Sequence, residues 1–112
     1  MKKVEAYIKP DKLSFVKEGL AKAGFPALTT YEVKGRGRQT GIVQTVDGFT
    51  LYADLLPKTK IEVVVQAQDL EKVIEIIIEK ARTGSIGDGK IFVSDIADNV
   101  QRLYLVFVAD AP

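Results

Sequence analysis

Apolar and polar residues alternate from position 3 to position 9, with Val4, Ala6 and Ile8 on one side and Glu5, Tyr7 and Lys9 on the other. That period of two predicts a half-buried strand, which Pro10 ends. The period then lengthens. Leu13, Val16, Leu20 and Ala23 recur at helical spacing from Lys12 onward, Lys12, Lys17 and Lys22 fall outside the stripe, and Gly24 stands where a helix stops. Residues 28–34, LTTYEVK, are rich in β-branched and aromatic side chains and predict a second strand, which runs into the glycine-bearing loop GRGRQTG. A third strand is expected over 59–66, TKIEVVVQ. With Asp69 as N-cap, Leu70, Val73, Ile74, Ile77, Ile78 and Ala81 predict a second helix. A fourth strand begins at Lys90, and VQRLYLVFV at 100–108 reads as a fifth.

Two βαβ units with helices of this length fit an α+β, ferredoxin-like βαββαβ sandwich with an extra C-terminal strand. Both helices then cover one face of an antiparallel sheet. Segment 40–57 is a long connection between strands two and three, with a turn signal at Asp47-Gly48, so it is expected to be either a protruding hairpin or a mobile loop. The sheet face away from the helices carries residues such as Tyr7 and Val64, too apolar to be left wholly to water, and a symmetric oligomer is the expected cover.

Composition narrows the chemistry. The 112 residues suit one domain spanning 1–112, and 16 basic against 15 acidic side chains give no basic excess of the kind a nucleic-acid binder shows. Cysteine and histidine are both absent, which removes disulfides, thiolate metal sites and the Ser-His and Cys-His nucleophilic pairs within one chain. The N-terminus enters a strand without an apolar leader and no segment has the length of a membrane span, so a cytoplasmic protein without membrane insertion is expected.

Two glycine-rich clusters carry the candidate chemistry. Gly84 to Lys90 satisfies GxxxxGK, but Ile91 stands where a magnesium-binding hydroxyl belongs, and a helix precedes where a nucleotide-binding P-loop requires a strand. The Walker reading therefore fails. The glycines still allow backbone N–H groups to converge on an anion with Lys90 adding charge, although a helix cap followed by a tight turn explains the same letters. KGRGRQTG at 34–41 sets Arg36, Arg38 and Gln39 among glycines; alone it also reads as a solvated basic turn. Strand two ends and strand four begins in the same general region of such a sheet, which favours one anion shared by both clusters.

KGxGRQxG at 34–41, LPKxKIEVVV at 56–65, ARTGxIGDGKIFV at 81–93 and the N-terminal MKKVEAYIKPDKLSFVKEGLAKAGF together resemble the P-II nitrogen-regulatory signal-transduction proteins, over about residues 1–98. The resemblance implies a ferredoxin-like protomer in a homotrimer, with ATP or ADP in clefts between subunits and a loop, here about 38–54, that docks on a target of nitrogen metabolism. By position, Gly35, Gly37, Arg38 and Gln39 match the nucleotide-contacting turn, and Gly87, Asp88, Gly89 and Lys90 match the phosphate loop. Glu62 and Val64 fall beside the adenine, and Leu28 and Thr29 come from the neighbouring subunit. In members that sense 2-oxoglutarate, magnesium bridges ATP and the keto acid. Gln39 matches the metal ligand, Lys58 matches the lysine that pairs with a carboxylate, and Gly87 belongs to the same site.

The chain departs from that pattern at its end. Gln101 and Leu103 stand where the family has two phosphate-contacting arginines; Arg102 between them is kept as a nucleotide-binding candidate, although on an alternating strand it faces the other way and replaces both only with a bulge or a changed register. Arg36 replaces an aromatic or apolar residue and is a candidate for part of the missing charge. In the loop, Leu51 takes the place of a modifiable tyrosine next to Tyr52, and Asp47 that of a channel-plugging arginine; Phe49 and Tyr52 are the candidate partner contacts. The expected function is a non-enzymatic regulator sensing adenine nucleotide. The alternative is a P-II-like paralogue with another input, such as bicarbonate, in carbon uptake or a carboxysome setting. A small ATPase is disfavoured because no clear general base is present, and a purely structural reading predicts that Lys90 and Arg38 do not matter for ligand binding.

Overall fold

The computed structural model describes residues 1–36, 42–46, 49–53, 55–85 and 88–100, with the backbone alone over 42–46 and 49–53. In chain order the elements are β1 (Lys2–Ile8), α1 (Leu13–Lys22), β2 (Thr29–Gly35), β3 (Ile42–Val46), β4 (Phe49–Ala53), β5 (Leu56–Val65), α2 (Leu70–Ala81) and β6 (Lys90–Asp95). Four strands form an antiparallel sheet in the order β2-β5-β1-β6, and β3 pairs with β4 as a separate hairpin. This is the ferredoxin-like arrangement that the two βαβ units predict. Of the two forms expected for segment 40–57, the described residues show hairpin pairing, β3 against β4 from the Ile42–Ala53 pair to the Val46–Phe49 pair; the turn signal at Asp47-Gly48 lies outside the described residues. The expected fifth strand at 100–108 lies outside the described residues, apart from Val100.

Alternation places the core. Val4, Ala6 and Ile8 of β1 and Ile61, Val63 and Val65 of β5 are buried against Val16 and Leu20 of α1 and Val73, Ile77 and Ala81 of α2. Both helices therefore lie on one face. Helix α1 stops at a Schellman turn, in which Phe25 N–H donates to Leu20 O (2.8 Å), Gly24 N–H donates to Ala21 O (3.1 Å), and Gly24 takes φ +95°. Where the helices cross, Gly19 leaves room for the partner: a Cβ there would stand 3.0 Å from Lys80 Cγ and 3.1 Å from Ile76 Cγ2.

Three details differ from the sequence reading. Asp69 occupies the N-cap position of α2 but makes no side-chain capping bond; it closes a 3-10 turn, Ala67–Asp69, whose last N–H donates to Gln66 O at 2.9 Å. Strand β5 begins at Leu56 and so takes in Pro57, which pairs with Lys34 of β2. That is tolerable because β1 reaches only to the Ile8–Thr59 pair, so β5 has a single neighbour at Pro57 and a missing donor need not break a ladder. Finally, α2 meets α1 through Ile76 while Ile78 is exposed, because the close approach at Gly19 turns the flank of the apolar stripe toward α1.

Candidate functional site

The register fixes where each candidate stands. Tyr31, Lys60, Tyr7 and Lys90 form one row across the sheet, and Thr29, Glu62, Glu5 and Phe92 form another. Side chains of both rows project on the face away from the helices, since their neighbours Ala6 and Ile61 point into the core. From the first row, β2 runs on to Gly35 while the chain preceding Lys90 leaves the sheet at the same end. The two glycine clusters thus share an end of the sheet. They emerge from opposite edges, however, three strand spacings or roughly 14 Å apart.

Three groups result. Gly35, Arg36 and Lys58 lie where β2 and β5 outrun β1, Lys58 being the register partner of Val33. Leu28, Thr29, Glu62 and Val64 lie along β2 and β5; Leu28 packs on the core, Thr29 pairs with Glu62, and Val64 is 48% exposed on the face away from the helices. Asp88, Gly89 and Lys90 form the corner between β1 and β6. Gly37, Arg38, Gln39, Gly87, Arg102 and the side chains of Phe49 and Tyr52 lie outside the described residues.

The corner is the best-defined group. Gly89 has φ +117°, and a Cβ there would fall 1.6 Å from the carbonyl oxygen of Tyr7, so only glycine lets the loop cross the end of β1. Its neighbour Asp88 turns its carboxylate back into the loop. Backbone N–H groups of Thr83 (2.9 Å) and Gly84 (2.8 Å) donate to Oδ2, and the Thr83 hydroxyl donates to Oδ1. The Lys9 ammonium stands 3.4 Å from the same Oδ1 and donates to Thr83 Oγ1 (3.1 Å) and Ser85 Oγ (3.0 Å). With the single Thr83 hydroxyl hydrogen given to Asp88, the Ser85 hydroxyl is the donor in the 2.8 Å contact between the two side chains. The Thr83 hydroxyl, the Thr83 and Gly84 amides and Lys9 together hold the Asp88 carboxyl far below the usual carboxylate range.

Lys9, Thr83 and Ser85 escaped the sequence reading. Lys9 reads there as the last outward residue of a strand, and 74 residues separate it from Thr83. The available signal was the polar content of the loop itself, Thr83, Ser85 and Asp88 among glycines, which is what a braced turn needs. Below the corner, Tyr7, Ile8, Ile77, Arg82, Asp88 and Lys90 help line an open concavity of about 260 Å³. No group of three or more His, Cys, Asp or Glu side chains that could hold a metal occurs among the described residues.

A charged and aromatic network covers the face away from the helices. Lys60 bonds Glu62 (3.0 Å) and Glu5 (3.5 Å) and lies over the rings of Tyr31 (5.1 Å) and Tyr7 (6.0 Å). Lys3 pairs with Glu5 at 3.0 Å, and Tyr7 meets Phe92 edge-on at 6.1 Å. Hydrogen bonding to Glu62 raises the pKa of Lys60, and bonding to Lys3 lowers that of Glu5, so the network favours its ionised form.

Comparison with known proteins places this geometry. The sequence profile of the family described as nitrogen regulatory protein P-II matches residues 1–104. The chain belongs to the P-II family. It is 50% identical over 103 residues to nitrogen regulatory protein P-II 2 of Methanothermobacter thermautotrophicus, covering 92% of this chain and 89% of that one. It is 48% identical to nitrogen regulatory protein P-II of Rhizobium meliloti, over 90% of each chain, and 50% identical to nitrogen regulatory protein P-II 1 of Escherichia coli K12, over 87% of each. Membership makes this chain one of the P-II signal-transduction proteins of nitrogen regulation. Among its described residues, no helix is long and apolar enough to cross a membrane.

Proposed function

We propose that this P-II protein is a non-enzymatic, cytoplasmic regulator that binds ATP or ADP between the subunits of a homotrimer and acts on a nitrogen-metabolism target through its 38–54 segment. The observation that carries the reading is the braced corner: Gly89 admits no side chain against Tyr7, and Lys90 opens β6 directly beside it. Such a turn brings backbone and a cation close to an anion, and the family match supports phosphate as that anion. Gly35, Gly37, Arg38 and Gln39 would approach the nucleotide from the other cluster, with Glu62 and Val64 beside the base and Leu28 and Thr29 supplied by a neighbour. Magnesium and 2-oxoglutarate would join at Gln39, Lys58 and Gly87, where the protein need offer little more than one amide oxygen, one lysine and a glycine backbone.

Opposite edges of one sheet are too far apart for both clusters to grip one phosphate, and a site completed by a second subunit accommodates that distance. The charged network on the uncovered face also suits an assembly: Lys3 and Lys60 balance Glu5 and Glu62, so covering them buries no uncompensated charge.

Isothermal titration with ATP, ADP, AMP and 2-oxoglutarate tests the proposal. Saturable binding of at least one adenine nucleotide is expected, and its absence would sink the reading. Lys90→Ala should weaken that binding by about ten- to a hundredfold, the loss of one charge-assisted contact of about 1.5–3 kcal/mol. Gln101 and Leu103, in place of arginines, favour a second reading in which another anion such as bicarbonate is the input. Binding of 2-oxoglutarate that depends on ATP would count against it.

A further inference from the structure

We infer that Lys9 is a positioning residue for the loop 83–90, acting on any ligand there through Asp88 and not by its own contact; in what it says of ligand, the inference rests on the nucleotide reading above. Glycine-rich turns bind anions because adjacent N–H groups converge. In this chain two such N–H groups, of Thr83 and Gly84, already converge on an anion, and it is the carboxylate of Asp88. The loop therefore carries an internal stand-in for a bound anion. A carboxylate held by two amides and a hydroxyl still has negative charge to neutralise. Lys9 does so at 3.4 Å while bonding both hydroxyls that flank Gly84.

The consequence is a loop shaped from beneath. β1 delivers Lys9 to the loop at the same place where its Tyr7 carbonyl abuts Gly89, so one strand end fixes the loop at two points six or fewer residues apart. Lys90 follows directly, so in the proposed site its position depends on how firmly Thr83, Gly84, Ser85, Asp88 and Gly89 are held. The Lys9 ammonium has its three described polar partners, Thr83, Ser85 and Asp88, within the loop itself.

The test is a double-mutant cycle with Lys9→Met and Asp88→Asn, read in two ways. In the ligand-free protein, amide hydrogen exchange at Thr83 and Gly84 should accelerate at least about tenfold in Lys9→Met, with core amides of β1 and α2 unchanged. By titration, each single variant should bind ATP and ADP about tenfold more weakly, and the double variant no more weakly than Asp88→Asn alone, as coupled neighbours behave. Losses that multiply in the double variant would mean that Lys9 meets the ligand itself, and would overturn the inference. Unchanged exchange in Lys9→Met would overturn it too. If the wild-type protein binds no nucleotide, the proposed function falls while the exchange experiment still decides the role of Lys9.

Discussion

At the scale of single residues, Gly89 is the most constrained of the described glycines. An alanine there meets the Tyr7 carbonyl oxygen at 1.6 Å and requires a left-handed backbone, so either β1 or the loop must move. Gly89→Ala should cost at least about 1–3 kcal/mol, the usual scale of backbone strain, and weaken nucleotide binding; thermal melting and titration measure the two. Asp88 yields a prediction in pH. Its folded pKa is depressed, so its contribution is present above the unfolded value of 3.8 and is lost only as pH falls through the lower folded value. Protection of the Gly84 amide should therefore persist from pH 7 to pH 4, and a carbon-detected titration of the Asp88 carboxyl should show no midpoint at or above 3.8. A midpoint in the ordinary range would mean that the carboxylate is not held as described.

At the scale of elements, α2 separates what periodicity can and cannot say. Ile77 is 1% exposed and Ile78 42% exposed, although both belong to the stripe read from sequence. Ile77→Ala should destabilise by about 2–5 kcal/mol. Ile78→Ala, away from the core, should stay within about 0.5 kcal/mol by chemical denaturation. The stripe itself is legible because a period of 3.6 follows from backbone geometry alone. Which flank of it meets α1 is not, because that depends on the close crossing at Gly19, a tertiary event. The early start of β5 is hidden for a similar reason: a strand takes in a proline such as Pro57 where it has outrun its second neighbour, and that is set by the tertiary register. In the site, glycines and Lys90 are readable as a possible anion turn from composition and order. Lys9 is not, since its partners lie across the whole chain and nothing in KPDK announces them.

At the scale of the whole molecule, the sheet face away from the helices carries Tyr31, Val64 and Phe92 at 46%, 48% and 54% exposure around a charge-balanced centre. If this face is the trimer contact, a carboxylate among those side chains would be buried without a partner. If the proposed homotrimer forms through this face, the wild type should scatter as a trimer and Phe92→Asp as a monomer at the same concentration. A trimer that survives the substitution would place the contact elsewhere.

The brace at the corner also bears on the order of folding. Lys9 precedes Thr83 by 74 residues and Ser85 by 76, so the loop gets its shape from contacts of very long sequence separation, the kind that form late because loop closure must come first. A chain whose β1 has not docked between β5 and β6 has no such corner to offer. Ligand capture here would thus report a completed fold, and during refolding the capacity to bind should return no earlier than β1 joins the sheet.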